Sequence, residues 1–252
     1  MISFLKYKTQ FDLDDPKATL AHREIILQKP FLKKIYIDWY HEIIARVPKN
    51  IRGKILEIGS GGGFLKQLYP NVVTSDILPL ETCDMIFSAE EIPFSTNELS
   101  AIVMLNVFHH VPHPWKFLKE AERTLERGGR VVMIEPANSF FGRFIYKKFH
   151  HEPFNENGEW EIVSTGPLSS SNQALPYIYF ERDREKFNKE FVQFKIVEIK
   201  YHTSFRYLLS GGVSMKSLVP NWSYGIIKGI ETIFDLFGKV FGMFVIIVVE
   251  KK

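Results

Sequence analysis

Residues 54–68 read KILEIGSGGGFLKQL. Apolar residues enclose one acid, five of the next six positions are Gly or Ser, and a short apolar-periodic run follows. The pattern predicts a strand over 54–58, a turn almost without side chains, and a helix. Glycines at such a turn let something lie against bare backbone. A dinucleotide fingerprint needs Gly-x-Gly-x-x-Gly; Gly59 and Gly61 fit, but Phe64 stands at the third position. A P-loop needs Lys-Ser/Thr after the glycines, and none follows. The motif is Glu57-x-Gly59-x-Gly61-x-Gly63. A carboxylate at the carboxyl edge of a sheet repels pyrophosphate and suits a ligand carrying an ammonium.

Outward from this turn, β-like runs recur at 72–77, 84–87, 101–106, 130–135, 191–201 and 243–250. Phe31, Ile35, Trp39, Ile43 and Val47 mark an amphipathic helix stopped at Pro48. PWKFLKEAERTLERGG, from Pro114, reads as a helix with Gly128 and Gly129 at its C-cap. Strand–helix alternation predicts an α/β fold, a mostly parallel sheet with helices on both faces. Two stretches, 136–190 and 202–242, exceed what a crossover needs. They are expected to form a cap over the carboxyl edge, where open α/β sheets bind ligands. Asp76 ends the second strand. Beside the first turn it can accept both hydroxyls of a ribose; otherwise it caps a turn before Pro79.

Composition narrows the class. The 252 residues are 45% hydrophobic and 24% charged, as in one globular domain. A net charge of +3 argues against nucleic-acid binding. One cysteine, Cys83, excludes an internal disulfide framework and fits a reducing compartment. The N-terminus mixes charges with apolar residues, unlike a signal peptide, and Met243 to Val249 falls short of the ~20 residues of a spanning helix. A soluble, cytoplasmic protein is expected.

In order and spacing, LEIGSGGG, SDILP, SAEEIPF, LNVFHHV and LERGGRVVMIEP resemble the successive motifs of class I S-adenosylmethionine-dependent methyltransferases, over roughly residues 50–136. The small-molecule branch that includes the ubiquinone/menaquinone methyltransferases is the nearest match. The resemblance implies a Rossmann-like seven-stranded sheet whose last strand is antiparallel. It implies S-adenosyl-L-methionine as cofactor and S-adenosyl-L-homocysteine as product. Glu57, Gly59, Ser60, Gly61 and Gly63 would cradle the methionine part, Asp76 and Ile77 would meet the ribose, Ala89 and Glu90 the adenine, and Asn106 the pocket wall. Ser88 and Ser100 depart from the pattern, each standing where the family usually has Asp.

A sulfonium methyl is already activated, so catalysis is mainly in-line placement of the acceptor. Only an acceptor that must lose a proton needs a base. His109 and His110 follow the fourth strand, and His150, His151 and Glu152 lie in the first insert. His151 is preferred, then His150 and His110, because Glu152 is adjacent to His151. No metal is expected, since three adjacent residues rarely converge on one ion.

Aromatic residues crowd the inserts. Phe141, Tyr146, Phe149, Tyr177, Tyr179 and Arg206 are expected to enclose an apolar acceptor, small or lipid-linked. Phe140, Phe144 and Lys148 fit an ordinary amphipathic helix. In 226–241, Ile226, Ile230, Ile233, Phe237 and Phe241 oppose Lys228, Glu231, Asp235 and Lys239; this helix is expected to pack its apolar side on the sheet, with membrane docking as the alternative. The chain reads as one domain: a helical cap (1–50), a cofactor-binding half (51–136) and an acceptor-binding half with the inserts (137–252). A non-catalytic module of this fold and a nicotinamide-dependent oxidoreductase are the rivals, the second disfavoured by Phe64. The sequence leaves the oligomeric state open.

Overall fold

The computed structural model describes residues 11, 12, 14–163, 166 and 168–252; most of the charge-mixed N-terminal stretch lies outside them. Seven strands form one sheet: β1 Lys54–Ile58, β2 Val72–Asp76, β3 Met85–Ile86, β4 Leu99–Leu105, β5 Leu125–Pro136, β6 Phe194–His202 and β7 Phe244–Lys251. Their order is β3-β2-β1-β4-β5-β7-β6. The first five run parallel, and β7 is antiparallel to both β5 and β6. The order reverses between β1 and β4, so their carboxyl tips flank the crevice where such sheets take ligands. β4 is buried along nearly its whole length, which is why it reads as a continuous apolar run.

Five helices matter for the site: α1 Pro16–Gln28, α2 Pro30–Ile44, α3 Leu65–Leu68, α4 Pro114–Thr124 and α5 Phe140–Phe149. In α2 the stripe Phe31, Ile35, Trp39 and Ile43 is buried as its spacing predicts. The chain turns between α1 and α2 at Lys29. Its buried ammonium donates to the carbonyl oxygens of Ser210 (2.6 Å), Gly212 (2.6 Å) and Met215 (2.7 Å), clamping this corner to the loop after the helix Phe205–Ser210.

Two helix expectations are corrected. α4 ends at Thr124, short of the glycines, and Leu125 pairs with Leu99 at the start of β5. The amides of Asn97 and Glu98 take the last-turn carbonyls of Arg123 and Thr124, so the chain leaves the helix there and Gly128, with φ +81°, serves a kink in the strand. The stretch 226–241 breaks into a helix Tyr224–Phe234, a 3₁₀ turn Asp235–Phe237 and a short helix Gly238–Phe241. Its apolar stripe does not pack on the sheet: Ile226, Ile230, Ile233 and Phe237 are exposed, whereas Glu231 is buried. Arg206 pairs with both Glu231 and Asp38, and Lys228 with Asp38, so the polar side is drawn inward. On α5, Phe140 and Phe144 are likewise exposed.

The inserts do carry an aromatic cluster. Tyr179, Phe180, Phe187 and Phe191 are fully buried and reach Phe108 and Trp160 in chained ring contacts of 4.1–6.1 Å. Among the described residues no helix is long and apolar enough to cross a membrane.

Candidate active site

A cavity of about 410 Å³ opens at the carboxyl tips of β1, β2 and β4. Gly59 to Gly63 form one side. Asp76 to Leu78, Phe87 to Ala89 and Leu105 to Val107 continue it, and α1 and α2 close over it with Thr19, His22, Ile26, Tyr36 and Tyr40. The inserts contribute Gly166, Leu168 and Val213. None of Phe141, Tyr146, Phe149, Tyr177, Tyr179 and Arg206 lines it. Tyr146 and Tyr179 are core residues bonded to the Met243 and Trp160 carbonyls, Phe149 is exposed, and Arg206 is spent on Asp38 and Glu231.

The glycines have two different reasons. A β-carbon at Gly59 would strike Val107 at 2.5 Å, and one at Gly63 would strike the Tyr40 hydroxyl at 2.5 Å. Those two are empty because protein atoms fill the space. Gly61 is constrained by its φ of +42°; a β-carbon there meets nothing closer than Thr19 at 3.6 Å. Its amide donates to Asp76 Oδ2 at 2.8 Å, which joins the turn to β2.

Two carboxylates lie at the cavity wall. Glu57 is buried and accepts from Ser60 Oγ at 2.8 Å. Burial, offset in part by Ser60 and reinforced by the charge of Asp76, raises its pKa to about 7. Asp76 accepts from the Gly61 and Leu78 amides, and burial raises its pKa against those bonds. Asp76 is therefore a turn cap, and each of its oxygens keeps a second lone pair for a ligand.

Asn106 has the site's least explained geometry. Its φ is +56°, and its side-chain Oδ1 is buried with no hydrogen-bond partner among the described residues. Strained backbone and an orphaned polar atom facing a cavity together mark a ligand position. Ile77, Ser88 and Ala89 line the same space. Glu90 does not: its carboxylate accepts from His113 N at 3.0 Å and pairs with Lys116 at the start of α4. Ser100 lies away from the cavity and bonds the Gly53 and Lys54 carbonyls.

The histidines fall into two groups. His110 lines the cavity, whereas His150 and His151 do not. His151 is largely exposed, and His150 Nδ1 bonds Gln173 Nε2 at 2.8 Å. Glu152 sits among all four imidazoles, 3.4 Å from His109, 3.6 Å from His110, 3.7 Å from His151 and 3.8 Å from His150. Glu135, at the tip of β5, accepts from the amides of Val107 and Phe108 and from His109 Nδ1 at 2.6 Å. Burial pulls the His109 pKa down, but Glu135 and then Glu152 outweigh it and lift it to about 9. Burial and the neighbouring His109 charge take His110 down to about 4. Against burial, the hydrogen bond and charge of His109 hold Glu152 down to about 2. His110 Nδ1 lies 3.1 Å from the Ser170 carbonyl, an acceptor only, so Nδ1 carries the proton and Nε2 the lone pair. The nearest ligand atoms of His109, His110 and Glu152 all lie within 4.8 Å of one another.

A family model described as a methyltransferase domain matches residues 29–194. The chain belongs to that family. Phthiotriol/phenolphthiotriol dimycocerosates methyltransferase of Mycobacterium leprae is 27% identical over 148 residues, 51% of this chain and 48% of the relative. An uncharacterized protein of Methanocaldococcus jannaschii is 26% identical over 136 residues, 50% of this chain and 64% of the relative. The chain thus spans about half to under two thirds of the length of these curated relatives. A solved SAM-dependent methyltransferase of Thermotoga maritima superposes with a TM-score of 0.56 at 17% identity, covering 94% of this chain and all of the other. Family and fold agree: a methyltransferase domain on the sheet that this chain shares with that solved SAM-dependent methyltransferase.

The chemistry of the cavity suits S-adenosylmethionine. Two buried carboxylates and an amide oxygen without a partner among the described residues suit an ammonium and a ribose, and apolar Ile58, Leu105 and Val107 also line the cavity. Glu135 escaped sequence reasoning, and Glu152 was read only as the neighbour of His151, because only folding brings an acid from the tip of β5 and one from the first insert onto the consecutive His109 and His110.

Proposed function

We propose that this methyltransferase moves a methyl group to an apolar, lipid-linked or small-molecule acceptor, with cofactor and acceptor meeting at Asn106 and His110. The observation that carries the reading is the single cavity that holds Glu57, Asp76, the orphaned Asn106 Oδ1 and His110. Bound there, the cofactor supplies an activated methyl on a sulfonium. The chain supplies placement. Glu57 and the glycine turn receive the ammonium end, and Asp76 offers its free lone pairs to the ribose diol. Ser88 and Ala89 flank the adenine side.

His110 is the proposed base. It is neutral across the physiological range, and its Nε2 lone pair is free of hydrogen bonding because Nδ1 donates to Ser170. When Nε2 takes the acceptor proton, the Glu152 carboxylate 3.6 Å away offsets part of the repulsion from the neighbouring His109 charge. Glu135 and His109 are positioning residues that hold the turn carrying His110. The Mycobacterium leprae relative is named for phthiotriol and phenolphthiotriol dimycocerosates, and we extend that to this chain only as the lipid-linked class.

Thermal denaturation with S-adenosylhomocysteine and with NAD tests the cofactor site. S-adenosylhomocysteine should raise the midpoint, since a ligand bound only by the native state stabilises it. A rise with NAD alone would contradict the assignment.

A further inference from the structure

The stretch Asn221–Phe241 presents two stripes with inverted polarity. Inward go Tyr224, Glu231 and the Arg206 and Asp38 partners that hold them; Glu231 is only 2% exposed. Outward go Trp222 (76% exposed), Ile226 (60%), Ile230 (46%), Ile233 (64%), Leu236 (82%) and Phe237 (59%). An amphipathic helix whose only apolar neighbour is its own core faces the other way. Scattered exposed apolar residues are ordinary, but an outward row at helical spacing with a tryptophan at its end marks an interaction surface.

The surface extends to α5. Phe141, Phe205, Phe234 and Phe241 stack edge to face at 5.2–5.6 Å beneath the two segments, and Ser139 Oγ bonds the Gly242 carbonyl where they touch. α5 turns Phe140, Phe144 and Phe149 outward. The charges on these segments choose the occupant. Arg143, Lys147, Lys148, Lys228 and Lys239 are all basic. The acids are Glu231, buried against Arg206, and Asp235, which accepts from the Thr203 amide. Lys147 pairs with Glu156 and Lys228 with Asp38, which leaves an apolar row rimmed by net positive charge. A second copy would bring the same positive rim against itself, whereas an anionic bilayer surface complements both the row and its rim.

We propose that α5 and the segment Asn221–Phe241 dock this enzyme in the plane of an anionic lipid bilayer, Trp222 and the isoleucine row entering the headgroup boundary. The inference concerns where the enzyme works rather than what it transfers, so vesicle binding and methyl transfer fail separately. The test is co-sedimentation of the full chain with phosphatidylcholine vesicles and with vesicles containing phosphatidylglycerol. The wild type should sediment with the anionic vesicles, less so as salt rises, and leave the zwitterionic ones largely unbound. Ile230→Glu combined with Leu236→Glu should weaken binding at least tenfold while S-adenosylhomocysteine affinity, the check on folding, stays unchanged. Lys148→Glu with Lys239→Glu should remove the preference for anionic vesicles. Equal binding to both vesicle types, no binding to either, or a dimer in light scattering that the first double variant dissociates would overturn the proposal.

Discussion

At the scale of single residues, Glu57 and Asp76 make separable predictions. Glu57 titrates near 7 because burial opposes its charge. A ligand ammonium favours the carboxylate, so S-adenosylhomocysteine affinity should rise as pH climbs through that value, from about pH 6 to about pH 8. Stability without ligand runs the other way. A carboxyl with a raised folded pKa contributes stability below its unfolded value that is lost as pH rises through about 7. Calorimetry across that window should show the affinity gain in the wild type and a flat profile in Glu57→Gln. A flat wild-type profile would remove the ammonium from this corner. Asp76→Ala should weaken S-adenosylhomocysteine by one to two orders of magnitude, since hydrogen bonds to charged groups are worth about 1.5–3 kcal/mol. It also strips the Gly61 and Leu78 amides of their acceptor, so a loss of about 1–3 kcal/mol in stability accompanies it. Asp76→Asn keeps the Leu78 cap and should lose affinity with less stability; unchanged affinity in both variants would leave Asp76 a cap alone. For the base, His110→Ala should lower turnover by about 10²–10⁴-fold on an acceptor that loses a proton, while His151→Ala should leave it unchanged. The reverse pattern would return the role to the exposed pair.

At the scale of elements, the sheet was legible because its central strands β1, β2, β4 and β7 are largely buried and read as apolar runs, with abrupt ends such as Gly59 and Asp76. β1 begins and ends where its sequence pattern does. The end of α4 was not legible. Gly128 and Gly129 look like a C-cap, but the Asn97 and Glu98 amides take the last carbonyls earlier. Nor was the orientation of 224–241. Periodicity shows that a helix has two sides, and which side turns inward was decided by Arg206 and Asp38, distant in sequence. The glycine turn was legible as a turn and only partly in its cause, since Val107 and Tyr40 fill two of its vacancies. Gly61 is the one position where bare backbone and open space coincide. Gly61→Val should fold, because no atom stands closer than 3.6 Å to the new β-carbon, yet lose measurable cofactor binding through backbone strain at φ +42°. Normal binding in a folded variant would mean that the turn is tight for packing alone.

At the scale of the molecule, the proposed cofactor side and the proposed acceptor side draw on different parts of the chain. β1, β2 and β4 carry the carboxylates and Asn106, while His110 is tuned by Glu152 from an insert and the cavity is closed by α1 and α2. Lys29 binds that closure to the loop holding Val213 through three carbonyls. The expected aromatic enclosure went instead into the core and onto the outer face, because large rings gain more from burial against one another than from lining a space. The most direct measurement is transfer of a labelled methyl group from S-adenosylmethionine into the organic-extractable fraction of a lipid extract from the protein's source cells. The account predicts label in that fraction with the wild type, none with Gly61→Val and, where the acceptor loses a proton, a steep loss with His110→Ala. No label with a wild-type protein that binds S-adenosylhomocysteine would contradict it.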